Sequence, residues 1–156
     1  MNPRAYVETT IVSYLSGLPS RDLLTAAHQQ VTRDWWAKRD RFDLFVSQLV
    51  LDEASGGDAL AARRRLADLV GLPILDVNDA VTSLAQVLIA SRAIPAEAGV
   101  DALHVATATV HGMDYLVTWN CRHIANARMR HRIEAVCRSR GLEPPTICTP
   151  EELLEE

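Results

Sequence analysis

Four polar residues stand where short apolar runs give way to helical patterns. Glu8 directly follows Ala5-Tyr6-Val7 and precedes Thr9-Thr10-Ile11, which reads as a helix start. Glu53 lies in the short helical segment Gln48 to Ala54, soon after the run Leu44 to Ser47. Asp101 sits near the start of a longer helix among Val100, Leu103 and Val105, and Asn120 follows Tyr115 to Thr118. Three carboxylates in one crevice repel one another, so their charged forms are disfavoured unless a cation joins them. Hard oxygen ligands, with waters completing an octahedron, suit Mg²⁺ or Mn²⁺ better than zinc. Such an ion beside a phosphodiester acidifies water and neutralises charge on the phosphorus oxygens, so the expected reaction is phosphodiester hydrolysis. Taken singly, each acid is equally well explained as a helix N-cap or a first-turn residue favoured by the helix dipole. Thr9, Thr10 and Thr118 flank the crevice, where a hydroxyl caps a helix or holds a water, capping being the simpler role. Glu97, one turn before Asp101, is an outer acid or, more simply, an exposed first-turn glutamate.

The elements that must position these groups are read from punctuation. Three helical patterns stop at a glycine and are followed by a short β-prone run: Gly71 before Leu72-Pro73-Ile74-Leu75, Gly112 before Tyr115 to Thr118, and Gly141 before Thr146-Ile147-Cys148. Glycine enters the left-handed region without steric cost, so it ends helices well. Helix, glycine and strand repeated in this way predict αβ units and a parallel sheet. Ala5 to Val7 and Leu44 to Ser47 supply two earlier strands. Ser20 or Asp22 caps a long helix to about Arg39, with Leu23, Leu24, Ala27, Val31 and Trp35 as its apolar stripe. Asp58 caps Ala59 to Val70, where Leu60, Leu66, Leu69 and Val70 are apolar, and Asn78 or Asp79 caps a helix reaching Ala93. Two more helices run from about Glu97 to His111 and from about Asn126 to Arg140. The expected fold is a three-layer α/β/α domain over 1–156, with a central, mostly parallel sheet of about five strands. Polar residues at the carboxyl ends of such strands converge, which is where the four residues above fall.

Composition narrows the partners. The chain has 156 residues, 48% apolar and 23% charged, enough for one ordinary domain with a core that needs no disulfide or structural metal. Its net charge of −4 argues against coating nucleic acid by bulk attraction. Aromatics at 5% leave little for a base-stacking sheet. Cys121, Cys137 and Cys148 lack C-x-x-C spacing and read as reduced thiols. No charged-then-apolar leader opens the chain and no apolar run approaches the roughly 20 residues of a bilayer span, so a soluble cytoplasmic protein is expected.

Val7-Glu8-Thr9-Thr10, Leu51-Asp52-Glu53, Asp101-Ala102-Leu103-His104-Val105-Ala106-Thr107-Ala108 and Tyr115-Leu116-Val117-Thr118-Trp119-Asn120 resemble, in order and spacing, the motifs of PIN domains. The likeness covers essentially the whole chain, and its length resembles the VapC-type toxins of bacterial toxin–antitoxin pairs. The resemblance implies a Mg²⁺- or Mn²⁺-dependent endoribonuclease, usually a homodimer, held inactive by a cognate antitoxin. Position by position, Glu8 matches the first acid, Glu53 the second, Asp101 the third, and Asn120 the place where a fourth acid commonly stands. The first three would hold the metal, with Thr10 and Thr118 in support. Glu8 stands where the family generally has Asp, moving the carboxylate by about one bond length, roughly 1.5 Å. Asn120 offers a carbonyl oxygen without charge, leaving three formal negatives and favouring a single tightly held ion.

Positive charge is concentrated after Asn120. Between Cys121 and Gly141 lie six arginines and one acid, Glu134, a sum of +5 that leaves −9 for the rest. Guanidinium groups there can hold RNA phosphates on either side of the scissile bond, Arg122 and Arg128 being placed better than Arg138 and Arg140 in the last turn. The plainer reading is a solvated helix face. His104, His111, Cys121 and His123 suggest zinc but match no usual zinc spacing, and buried, hydrogen-bonded histidines are the simpler expectation. Trp35 and Trp36 read as packing residues, one of them available for a dimer or antitoxin contact. Lys38, the only lysine, lies in the first long helix and cannot serve a response-regulator receiver, which resembles this layout but needs a lysine after the last strand. Phosphate-binding glycine loops and a G-x-S-x-G elbow are absent. The competing function is a catalytically impaired PIN-like module acting through protein or RNA binding.

Overall fold

A computed structural model describes residues 1–154. The strands are β1 (Arg4–Val7), β2 (Asp43–Ser47), β3 (Ile74–Leu75), β4 (Tyr115–Val117) and β5 (Thr146–Cys148). The helices are α1 (Thr9–Ser16), α2 (Leu23–Ala37), α3 (Gln48–Ala54), α4 (Ala59–Leu69), α5 (Asp79–Ala90), α6 (Gly99–Val110) and α7 (Ala127–Ser139). Every strand pairing is parallel, and the spatial order is β3-β2-β1-β4-β5. The expectation of a mostly parallel sheet thus sharpens to an all-parallel one. Helices α1 to α4 pack against one another, as do α5, α6 and α7, and the sheet lies between in a three-layer α/β/α arrangement. No helix among the described residues is long and apolar enough to cross a membrane.

Parallel strands covered on both faces must be apolar throughout. In β1, Ala5, Tyr6 and Val7 are fully buried, and Val46, Leu116, Val117 and Ile147 join them from three other strands. Because the chain builds outward from β1 through β2 to β3 and then returns to β1's other side for β4 and β5, the order reverses between β1 and β4. At such a reversal the connecting segments leave in opposite directions and open a crevice beyond the carboxyl ends of the strands.

The predicted helix stops at Gly71, Gly112 and Gly141 hold, with φ of +86°, +67° and +73°. Side-chain caps come from Asp22, Asp58, Asn78 and Asn126, each accepting a hydrogen bond from a backbone N–H in the first turn. Several expected boundaries shift. The long helix ends at Ala37, not near Arg39, because a 3₁₀ turn over Arg39–Arg41 leads into β2. Helix α5 ends at Ala90 and does not reach Ala93, since Arg92 turns into the left-handed region at φ +61°. The expected helix from Glu97 is a 3₁₀ turn, Ala96–Ala98, followed by α6.

One expected packing face is wrong. Leu23 and Leu24 are 87% and 67% exposed, and α2 buries Gln29 and Thr32 in their place, beside the expected Trp35. The two polar residues are satisfied: the Gln29 amide donates to Leu18 O and accepts from Ser20 N, while Thr32 Oγ1 donates to His28 O and accepts from Trp119 Nε1. Buried amides and hydroxyls with both roles filled carry little of the usual desolvation cost. Leu60 and Val70 are likewise exposed. Trp35 packs in the core against Phe42, as read, and Trp36 is half-buried beneath the Arg39 guanidinium.

Candidate functional site

The crevice between β1 and β4 is closed at its base by a backbone bond from Glu8 N to Val117 O. Glu8 therefore emerges directly opposite Thr118. Its side chain is 3% exposed and caps α1, with Oε1 accepting from Thr10 N at 3.1 Å, Thr118 Oγ1 at 2.7 Å and Thr10 Oγ1. Each hydroxyl is itself held: Thr10 Oγ1 accepts from Trp119 N, and Thr118 Oγ1 from Asn120 N. The bland reading of Glu8 as an N-cap is correct for this one oxygen. Among the described residues Oε2 accepts no hydrogen bond, so it keeps its lone pairs for a ligand.

Glu53 arrives from α3, beyond the carboxyl end of β2, with its side chain 40% exposed. Its Oε1 accepts from Thr9 Oγ1 at 2.7 Å and pairs with His104 Nε2 at 2.6 Å. Partial burial pushes the carboxyl up, but the hydrogen bonds from His104 and Thr9 outweigh it and hold Glu53 below the usual glutamate range. Glu53 is a carboxylate acceptor, so His104 Nε2 carries the hydrogen. The other nitrogen, Nδ1, meets Tyr6 Oη at 2.7 Å, and Tyr6 Oη meets Ser47 Oγ at 2.7 Å. Burial raises the Tyr6 phenol well above its ordinary value, the Ser47 hydrogen bond opposing and the nearby Glu8 and Glu53 charges adding to it, so the phenol stays protonated.

One donor atom from each of Glu8, Glu53 and His104 lies within 4.8 Å of the other two. Both nitrogens of His104 are already engaged, so the imidazole braces Glu53 and the available ligand atoms are carboxylate oxygens. Two like charges this close in a partly desolvated crevice repel, and a divalent cation removes the conflict. One or two carboxylates with several waters is the donor set Mg²⁺ accepts. The residues present fit such an ion.

Asp101 and Asn120 take other partners. Asp101 lies in the first turn of α6, three residues before His104 and on the same helix face, with Oδ2 2.9 Å from His123 Nδ1. It falls outside the Glu8–Glu53–His104 group. Asn120 Oδ1 accepts from His123 N at 3.0 Å, which shapes the turn that delivers His123 to Asp101. His111 bonds to Asp76 O, and Cys121 is exposed, so the residues that suggested zinc do not converge. Glu97 is exposed and, with Asp101, lines a cleft of about 540 Å³ between α5 and α6, whose apolar wall includes Ala85, Ile89 and Leu103.

The basic segment divides in two. Arg130 is committed to Ile147 O and Glu152, and Arg138 to Glu134 and Glu143. Arg122 and Arg128 are exposed and make no ion pair among the described residues. Sequence reasoning missed the roles of Tyr6, Ser47 and His123, and for His104 expected a buried, hydrogen-bonded imidazole without naming Glu53 and Tyr6 as its partners. The three-residue spacing of Asp101 and His104 was the one local signal for any of them. No protein-family model matches the chain, and a search of curated proteins finds no match.

Proposed function

We propose that this protein is a Mg²⁺- or Mn²⁺-dependent endoribonuclease of the PIN-domain kind, acting as the toxin of a toxin–antitoxin pair in the manner of VapC-type proteins. The observation that carries this reading is the approach of Glu8 and Glu53, 45 residues apart in sequence, to within 4.8 Å at the strand-order reversal, each with one oxygen bonded and, among the described residues, one left over. When bound, the metal supplies charge neutralisation at the scissile phosphate and water that is acidic at neutral pH. Glu8 and Glu53 would hold it, and Asp101 would complete the set on releasing His123. Thr10 and Thr118 keep Glu8 oriented, and Thr9 and His104 do the same for Glu53. Arg122 and Arg128, exposed, without an ion pair among the described residues and just beyond Asn120, receive flanking phosphates. Hydrolysis by water leaves a 5′-phosphate and a 3′-hydroxyl with no covalent enzyme intermediate. A cognate antitoxin, a homodimer and a cytoplasmic location belong to the same reading and rest on the family resemblance.

The test is cleavage of RNA by the purified protein with Mn²⁺ or Mg²⁺, with end-group analysis of the fragments. Cutting that requires the ion, stops on chelation and leaves 5′-phosphates is expected. Complete inertness toward RNA in Mn²⁺, with no antitoxin present, would turn the assignment to a catalytically impaired binding module. One observation favours that second reading: Asp101, the third acid, is bonded to His123 and stands outside the carboxylate pair.

A further inference from the structure

Ser47, Tyr6, His104 and Glu53 form a continuous hydrogen-bonded chain that crosses the sheet from its core to the crevice. Its members come from β2, β1, α6 and α3, and its links measure 2.7, 2.7 and 2.6 Å. Ser47, Tyr6 and His104 are fully buried, whereas the last member, Glu53, is 40% exposed. A hydroxyl, a phenol and an imidazole in a core this apolar are costly unless each partner is in place, and well-packed apolar residues of similar volume commonly serve stability as well or better. A core built only to hold the sheet together has no need of them.

The direction of the chain follows from its two ends. Glu53 is an acceptor, so His104 Nε2–H donates to it. With Nε2 carrying the ring hydrogen, Nδ1 is the acceptor for the Tyr6 O–H, which leaves the Tyr6 oxygen to receive the Ser47 O–H. All of these donors point toward Glu53 Oε1, which also receives Thr9. Rotation of the carboxylate would break both bonds at once, so the other oxygen, Oε2, is held on the side away from His104 and Thr9.

We propose that His104, held by Tyr6 and Ser47, is the positioning residue that fixes Glu53 Oε2 as a ligand oxygen, so that the crevice is built for a divalent cation before the ion arrives. This rests on the metal reading of the crevice. Partners that orient metal ligands are typically worth about 10–100-fold in metal affinity. With both ring nitrogens bonded to Tyr6 and Glu53, His104 acts through Glu53, so its effect should appear in the affinity for the ion itself.

The experiment measures Mn²⁺ dissociation constants by electron paramagnetic resonance on the full chain, with circular dichroism confirming the fold. His104→Leu is expected to weaken Mn²⁺ by about 10–100-fold. Tyr6→Phe, which deletes one oxygen and nothing else, is expected to weaken it in the same direction by less. Ile133→Val trims the fully buried core on α7 without touching the chain and should leave the affinity unchanged. Tyr6→Phe carries the test if His104→Leu does not fold. Wild-type affinity in folded His104→Leu, or in Tyr6→Phe when only that variant folds, overturns the proposal. So does an equal loss in Ile133→Val, which would mean that general destabilisation was being read. Failure of the unsubstituted protein to bind Mn²⁺ at all is a distinct pattern and overturns the metal reading together with this one.

Discussion

Glu53 and Asp101 are both acids at the same edge of the sheet, and each is bonded to a histidine, yet they are held in opposite ways. The histidine on Glu53 is fully buried and gripped from behind by a phenol, and a threonine adds a second bond to the same oxygen. The histidine on Asp101 sits on a loop, both side chains are about one-fifth exposed, and among the described residues no partner holds the far ring nitrogen. The lesson is that the same pairing of a carboxylate with an imidazole is a fixture in one place and a latch in another. What decides between them is how many further bonds must break before the pair can part.

The largest expected effect tests whether the latched acid belongs with the fixed ones. Charge stabilisation by a bound metal is worth several kcal/mol, and at about 1.4 kcal/mol per tenfold, Glu8→Gln and Glu53→Gln should each lower RNA cleavage by roughly a thousandfold. Asp101→Asn should abolish cleavage comparably while leaving the melting curve intact. Persistent cutting by Asp101→Asn would leave a two-carboxylate centre and remove Asp101 from it.

Stability gives the next contrast. Thr118→Val keeps the shape of a fully buried side chain but deletes its bonds to Glu8 Oε1 and from Asn120 N, and should cost about 2 kcal/mol. His123→Ala removes the partner of Asp101 at a partly exposed rim and should cost under about 1 kcal/mol. Equal losses in urea denaturation would erase the distinction between braced crevice and loose rim. The smallest effect concerns the arginines beyond the rim. Replacing Arg122 and Arg128 together with Ala should flatten the salt dependence of single-stranded RNA binding by about 1.4 in the log–log slope, from roughly 0.7 per phosphate contact. An unchanged slope would return both to the role of solvated surface.

The layout of strands and helices was legible because its signals are local. A glycine at φ near +70°, or an Asp or Asn accepting from the first turn, depends on a handful of neighbouring residues, and Gly71, Gly112, Gly141, Asp58 and Asn126 all do as their types dictate. Glu8 and Glu53 were legible for a related reason, since each directly ends a β-strand or lies just beyond one. The face of α2 was not. A hydropathy stripe cannot register that Gln29 and Thr32 find partners at Leu18, Ser20 and Trp119, and so it favoured Leu23 and Leu24. The support of Glu53 was hidden for the same physical reason on a larger scale. Tyr6 and Ser47 meet only because β1 and β2 pair in parallel with Tyr6 beside Phe45, a register that neither strand encodes alone.

The position of β1 bears on how the molecule comes into being. The first strand of the chain is also the middle strand of the sheet, and one of its two neighbours, β4, begins more than a hundred residues later at Tyr115. Contacts so distant along the chain close late and slowly, because the loop entropy must be overcome before the pairing is rewarded. Glu8 therefore waits for Thr118 while more than a hundred further residues are made, and β1 waits with one edge bare. Under the proposed function, the crevice that would hold the ion does not exist until β4 has been made and paired, so the competence to cut arrives late relative to the strand that carries Glu8.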